Sequence, residues 1–115
     1  MNYVLGGSPF DFKNSIMTIL ENYPKPSVDV LMNSISTHDI ERAINILGGE
    51  SCEGKSKDWM CSHWLTNEEF ELGRNRLKCA MALQYFLPGV PCIYYGDEAG
   101  QQGYKDPFNR RCYPW

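Results

Sequence analysis

Several things are scarce in this sequence, and each scarcity removes a class of reading. No apolar run in its 115 residues approaches the ~20 needed to cross a bilayer. The opening MNYVLGGSPF has neither the basic region nor the apolar stretch of a secretory signal, so a gene starting at Met1 is expected to give a cytoplasmic product. Positive charge is not in excess: the net charge is −3, which removes the electrostatic ground for nucleic acid or an anionic membrane as partner. Histidines number only two, and none precedes His38. A metal-dependent phosphohydrolase built on a His-Asp pair needs a helical histidine upstream, so that reading is set aside. The five cysteines (Cys52, Cys61, Cys79, Cys92, Cys112) are odd in number, form no C-x-x-C, and have one nearby histidine, His63. A zinc site needs four closely paired ligands, so no metal site is expected and the cysteines read as free thiols.

What is present is ordinary globular composition, 43% hydrophobic and 22% charged, in a length that fits one small domain or a piece of a larger one. Aromatics reach 13%, which suits a sugar-binding cleft, a core or an interface alike. Met1–Leu5 reads as a short apolar strand. Ser8-Pro9 reads as a helix start, and Phe12, Ile16, Ile19, Leu20 and Tyr23 recur at helical spacing as one buried face, ended by Pro24 and Pro26. Val28–Ile35 reads as a buried strand, after at most a short helical turn. Ile40, Ala43, Ile44 and Leu47 mark a second helix, closed by Gly48-Gly49, and Glu50–Leu65 reads as a surface loop. Thr66-Asn67-Glu68-Glu69 is a capping box for a helix running to about Leu87, stopped by Pro88-Gly89 and followed by an apolar strand, Val90–Tyr95.

Strands alternating with helices, and apolar on both faces, predict an α/β fold with a parallel sheet covered by helices. Loops after strand C-terminal ends bind ligands in such folds. His38-Asp39 and the polar tail from Gly96 onward both fall at that end, which makes them the candidate site.

In GVPCIYYGDEAGQQGYKDPFNRRCYPW, residues Gly89, Pro91, Tyr94, Tyr95, Gly96, Asp97 and Glu98 form one motif, and Asp106, Pro107 and Arg110 a second. Upstream, LMNSISTHDIER contains Asn33, His38, Asp39 and Arg42, and MNY opens the chain. In this order and spacing the chain resembles glycoside hydrolase family 13, the α-amylase family, over essentially its whole length. The D-P-x-N-R form is most similar to neopullulanase and cyclomaltodextrinase. The resemblance implies that residues 1–115 are a C-terminal fragment of a catalytic (β/α)8 TIM barrel, covering roughly strands 6 to 8 with their intervening helices.

The same resemblance implies the roles. Retaining glycosidases use two carboxyl groups roughly 5 Å apart, and a third carboxylate that grips the distorted sugar lowers the barrier further. By resemblance Asp39 is that third carboxylate, with His38 hydrogen-bonding the same sugar, and Asp106 with Arg110 binds the neighbouring sugar on the non-reducing side. From position alone, Asp39 reads as the cap of a helix starting at Ile40, and Asp106 with Arg110 as a surface salt bridge. Asn109 and Arg111 are weaker candidates, Tyr94 and Tyr95 read as core, and Asp97 and Glu98 as supports of their loop. Trp59, Trp64 and Trp115 are candidates for stacking on glucose rings.

The family's nucleophile and acid/base lie upstream of the matched region, so this chain is expected to be inactive alone. No cofactor is implied, and the family's calcium site, where there is one, belongs to an earlier excursion. The expected partner is an α-glucan or maltooligosaccharide. A few βα units with open strand edges are also association-prone, so self-association is expected. The competing reading is a stand-alone, non-catalytic remnant that associates with itself and binds maltodextrin weakly.

Overall fold

The computed structural model describes residues 1–115 as five helices and two strands: α1 (Pro9–Asn22), α2 (Lys25–Asp29), β1 (Met32–Ser34), α3 (Ala43–Gly48), α4 (Lys57–Ser62), α5 (Asn67–Phe86) and β2 (Val90–Cys92). The helix ends follow local chemistry. Ser8 Oγ accepts from Asp11 N at 3.3 Å, and Pro9 occupies the first turn, where its missing N–H costs nothing. The capping box of α5 forms in full: Glu69 N donates to Thr66 Oγ1 at 3.3 Å and Thr66 N to Glu69 Oε2 at 2.8 Å. Leu87 caps the far end, just before Pro88.

Strands β1 and β2 pair in parallel, with Met32 opposite Val90, Asn33 opposite Pro91 and Ser34 opposite Cys92. A parallel pair requires a crossover, and α3, α4 and α5 supply it. Helix α5 is fastened across both strands by one side chain: Gln84 Nε2 donates to Asn33 O at 2.6 Å and to Cys92 O at 2.8 Å. At the entry to β2, Gly89 has φ +114 and its α-carbon faces Leu31 O, where a Cβ would come within 2.5 Å.

The core lies between α3 and α5: Ala43, Ile44, Leu47, Leu65, Leu77 and Ala80 are buried together, with Val4, Ile35, Phe70 and Met81 packed against them. The two helix backbones nearly touch. A Cβ on Gly73 would stand 2.6 Å from Ile44 O, and one on Gly48 would meet Glu69 O.

Several expectations are corrected. Met1–Leu5 is not a strand: it has no neighbouring strand to pair with and closes instead into turns, with Val4 N bonded to Met1 O at 2.9 Å. Helix α1 forms where expected but buries none of its residues. The region Val28–Ile35 is mostly not a buried strand. Val28 belongs to α2, the strand is three residues long, and Met32 is 69% exposed because no second layer covers it. The second helix starts at Ala43 rather than Ile40, the segment between Glu50 and Leu65 contains α4, and the last strand stops at Cys92. Two parallel strands with α crossovers agree with the expected α/β class.

Candidate active site

Ser34–Glu41 leaves β1 as an irregular loop, and what shapes it is the buried residue that follows, Arg42. The guanidinium is fully buried, which for a charged group requires partners on nearly every side. Arg42 Nε donates to Asn109 O at 2.8 Å, and Nη1 donates to Tyr95 O and faces Asp97 Oδ1 at 3.2 Å. Its Cζ lies 4.1 Å from the ring centre of Tyr94 and 4.7 Å from that of Tyr95, so two aromatic faces take up the charge that water would otherwise solvate. Tyr94 is pushed above the ordinary phenol range, by burial first and by Tyr95 second. Burial also pushes the Asp97 carboxyl up, outweighing the Ser36 hydroxyl and Arg42, which both pull it down.

Asn109 completes the fastening from the other side. It is fully buried, and its amide Nδ2 donates to His38 O and Ile40 O, each at 2.7 Å. Gly103 adds two backbone links: its carbonyl accepts from Arg42 N and its N–H donates to Asn45 Oδ1, both at 2.8 Å. The loop after β1 and the segment after β2, some seventy residues apart in sequence, are thereby bound edge to edge.

His38 and Asp39 ride on this clamp with their side chains in solvent, 61% and 72% exposed, and His38 Nε2 lies 3.2 Å from Asp39 Oδ1. Asp39 caps no helix. The residue before α3 is Arg42, with no side-chain cap, and the orphan N–H of Ala43 is satisfied by Ser36 Oγ at 2.9 Å. The position-only reading of Asp39 is therefore removed. Asp106 and Arg110 do pair, with Arg110 Nε 2.8 Å from Asp106 Oδ1, both about half exposed. An exposed pair of this kind contributes little to stability, so its role in holding the fold is small.

The structure thus brings both predicted pairs to the two segments joined by Asn109, whose immediate chain neighbour is Arg110. Asp97 serves its loop through Arg42, as expected, whereas Glu98 is exposed. Tyr94 packs on Arg42; Tyr95 does so while also donating its hydroxyl to Arg111 O at 2.8 Å. Trp59 is half-buried, stacked on His63 with ring centres 4.1 Å apart and tilted against Tyr104 at 4.8 Å, which makes it a packing residue. Trp64 is half exposed and Trp115 fully exposed. The sequence reading assigns no task to Arg42 and a weak one to Asn109. The available signal was their spacing, Arg42 at H-D-x-x-R and Asn109 directly before Arg110, but no local rule says that one guanidinium will serve as the hub of two distant segments.

No family model matches the chain. It is 41% identical over 100 residues to an amylopullulanase from Thermoanaerobacter thermohydrosulfuricus, an alignment that covers 87% of this chain and 6% of that protein. To a cyclomaltodextrinase from Geobacillus thermopakistaniensis it is 29% identical over 108 residues, 94% of this chain and 14% of that protein. To a maltogenic α-amylase from Bacillus acidopullulyticus it is 29% identical over 105 residues, 91% of this chain and 14% of that protein. The chain therefore spans a small part of the length of the curated relatives it matches.

Proposed function

This chain belongs to glycoside hydrolase family 13, the α-amylase family, and from that premise we propose that it is the C-terminal portion of an α-glucan-acting catalytic (β/α)8 barrel. It contributes Asp39 as the carboxylate that stabilises the transition state, His38 as its neighbour on the same sugar, and Asp106 with Arg110 as the grip on the adjoining glucosyl unit. The observation that carries the reading is the clamp: Arg42 and Asn109, both fully buried, hold the His38-Asp39 loop against the D-P-x-N-R segment while the four polar side chains stay in solvent.

The chemistry follows from the residue types. A carboxylate held on a rigid loop accepts hydrogen bonds from vicinal hydroxyls, and its grip strengthens as the ring flattens and positive charge develops near the anomeric carbon. His38, whose Nε2 lies 3.2 Å from Asp39 Oδ1, adds an imidazole beside the carboxylate that can meet a hydroxyl of the same sugar. Arg110 presents planar donors and Asp106 acceptors, a combination that reads a pair of neighbouring hydroxyls.

Bond cleavage also requires a nucleophile and an acid/base, which this portion does not contribute, so the chain alone is inactive. By itself it associates with a second copy through its uncovered apolar sheet edge. The test joins the open frame around this chain to an assay. In the full polypeptide, Asp39→Asn is expected to lower turnover of maltooligosaccharides at least a thousandfold with an unchanged circular dichroism spectrum, and near-normal turnover would sink the assigned role. Release of sugar by residues 1–115 alone would overturn the fragment reading.

A further inference from the structure

A groove of about 250 Å³ lies on the face built by the α4–α5 connection and the segment after β2, lined by Trp64, Gln101, Gln102 and Arg111 together with Gly100 and Pro114. No role in the site described above uses it. Resting on the α-glucan reading, we propose that this groove binds one further glucosyl unit of a maltooligosaccharide, with Trp64 as the stacking ring and Arg111 and Gln102 as hydroxyl-directed donors.

Four observations carry it. Trp64 is 50% exposed although it is the kind of side chain that burial rewards most. Its ring is held in place, because the Arg111 guanidinium lies 4.3 Å from its centre. That guanidinium is itself tied to two carbonyls from separate segments, Phe108 O at 3.3 Å through Nε and Cys61 O at 3.1 Å through Nη2, so the ring and its cation form one preorganised unit with Nη1 left over as a donor. Gln102 is likewise oriented: its Oε1 accepts from Leu65 N at 2.9 Å, which leaves the amide N–H2 with no partner in the chain.

The chemical class of ligand follows. A pyranose offers an apolar C–H face to a ring and equatorial hydroxyls to planar donors at its edge, which is the arrangement present. The volume is below the roughly 300–1,000 Å³ of pockets that enclose a drug-sized ligand, so it suits a single ring of a longer chain. A phosphate or other dianion is disfavoured, because the groove holds a single cation and that cation lies on the indole. Arg111 directly follows Arg110 in the chain, while Arg110 itself does not line the groove.

The experiment is a titration of residues 1–115 with maltoheptaose, maltose and glucose by calorimetry, repeated for Trp64→Ala, Trp64→Phe and Asp106→Ala. Maltoheptaose is expected to bind more tightly than maltose, Trp64→Ala to weaken it about tenfold, the loss of one stacked ring, and Trp64→Phe to retain most of it. Since Trp64 is half exposed, the alanine variant keeps the fold, which circular dichroism checks. Unchanged affinity in Trp64→Ala, with loss in Asp106→Ala, would overturn the groove while leaving the α-glucan reading standing. No binding of maltoheptaose by the unaltered chain at millimolar concentration would overturn the groove as a site in this chain, and a full-length polypeptide that turns over α-glucan would show that the family reading survives it.

Discussion

Replacing Arg42 by lysine keeps the charge and loses the fork. A lysine ammonium is a single point of donation and cannot reach Asn109 O, Tyr95 O and Asp97 together while lying flat on two rings. Arg42→Lys is therefore expected to destabilise the chain by about 3–5 kcal/mol, the usual cost of breaking a buried charged network, read as a lower urea midpoint. Asn109→Ala is the milder companion, because it strips the donor from His38 O and Ile40 O and leaves two carbonyls short of partners. Its expected cost is about 1–3 kcal/mol, and amide hydrogen exchange across residues 37–41 should quicken more than exchange in α5. Equal acceleration in both places would mean that Asn109 serves global stability and has no special hold on the Asp39 loop. These two residues show what spacing conveys and what it does not: the interval between Asp39 and Arg42 is visible along the chain, the partners of Arg42 are not.

The longest element, α5, has its beginning and end written in local chemistry, and its cap gives a pH prediction. The backbone N–H and hydroxyl of Thr66 pull the Glu69 carboxyl below its ordinary value of 4.5. A depressed carboxylate contributes stability that is present above the unfolded value and lost as pH falls through the folded one. Thermal midpoints should thus fall on acidification below about pH 4.5, and the part due to Glu69 should vanish in Glu69→Gln, which keeps the hydrogen-bonding shape of the box. Thr66→Ala removes the cap outright and is expected to cost about 1 kcal/mol. The middle of the same helix obeys tertiary demands. Gly73→Ala gains about 1 kcal/mol of helix propensity, yet the new methyl would stand 2.6 Å from Ile44 O, a backbone atom that cannot swing aside. Steric cost wins, and the net change is expected to be destabilising by about 1–3 kcal/mol; a rise in melting temperature would show that α3 and α5 can separate at low cost.

Taken whole, the molecule exposes more than its mass requires. Its accessible surface is 7404 Å², where a folded monomer of 13.2 kDa is expected to show about 6,400 Å². Its radius of gyration is 15.2 Å, against about 13 Å for a domain of this length. The surplus, about 1,000 Å², is close to the ~800 Å² that each partner contributes to a standard interface. The apolar groups left in water include Met32, Val90, Tyr3, Phe86 and the uncovered face of α1. Sedimentation equilibrium of residues 1–115 at tens of micromolar is expected to show a dimer or larger species, and a single monomeric species would count against association through this face. In the longer polypeptide proposed above, neighbouring βα units take the place of the second copy.

Much of this protein was legible in the order of its residues. Ser8-Pro9, the Thr66–Glu69 box and Pro88-Gly89 set helix boundaries because caps and breakers act within one turn, and the H-D-x-x-R and D-P-x-N-R spacings marked both halves of the candidate site. Sequence and structure differ where an outcome depends on partners distant in sequence. Met1–Leu5 and Val28–Ile35 have strand-like side chains, but a strand exists only where another backbone pairs with it, and the apolar face of α1 is buried only where something covers it. Likewise, position alone allowed Asp39 to be a helix cap. The folded chain assigns that start to Arg42 and Ser36, because a buried guanidinium gathers its acceptors from wherever in the chain they lie and sets the loop around itself.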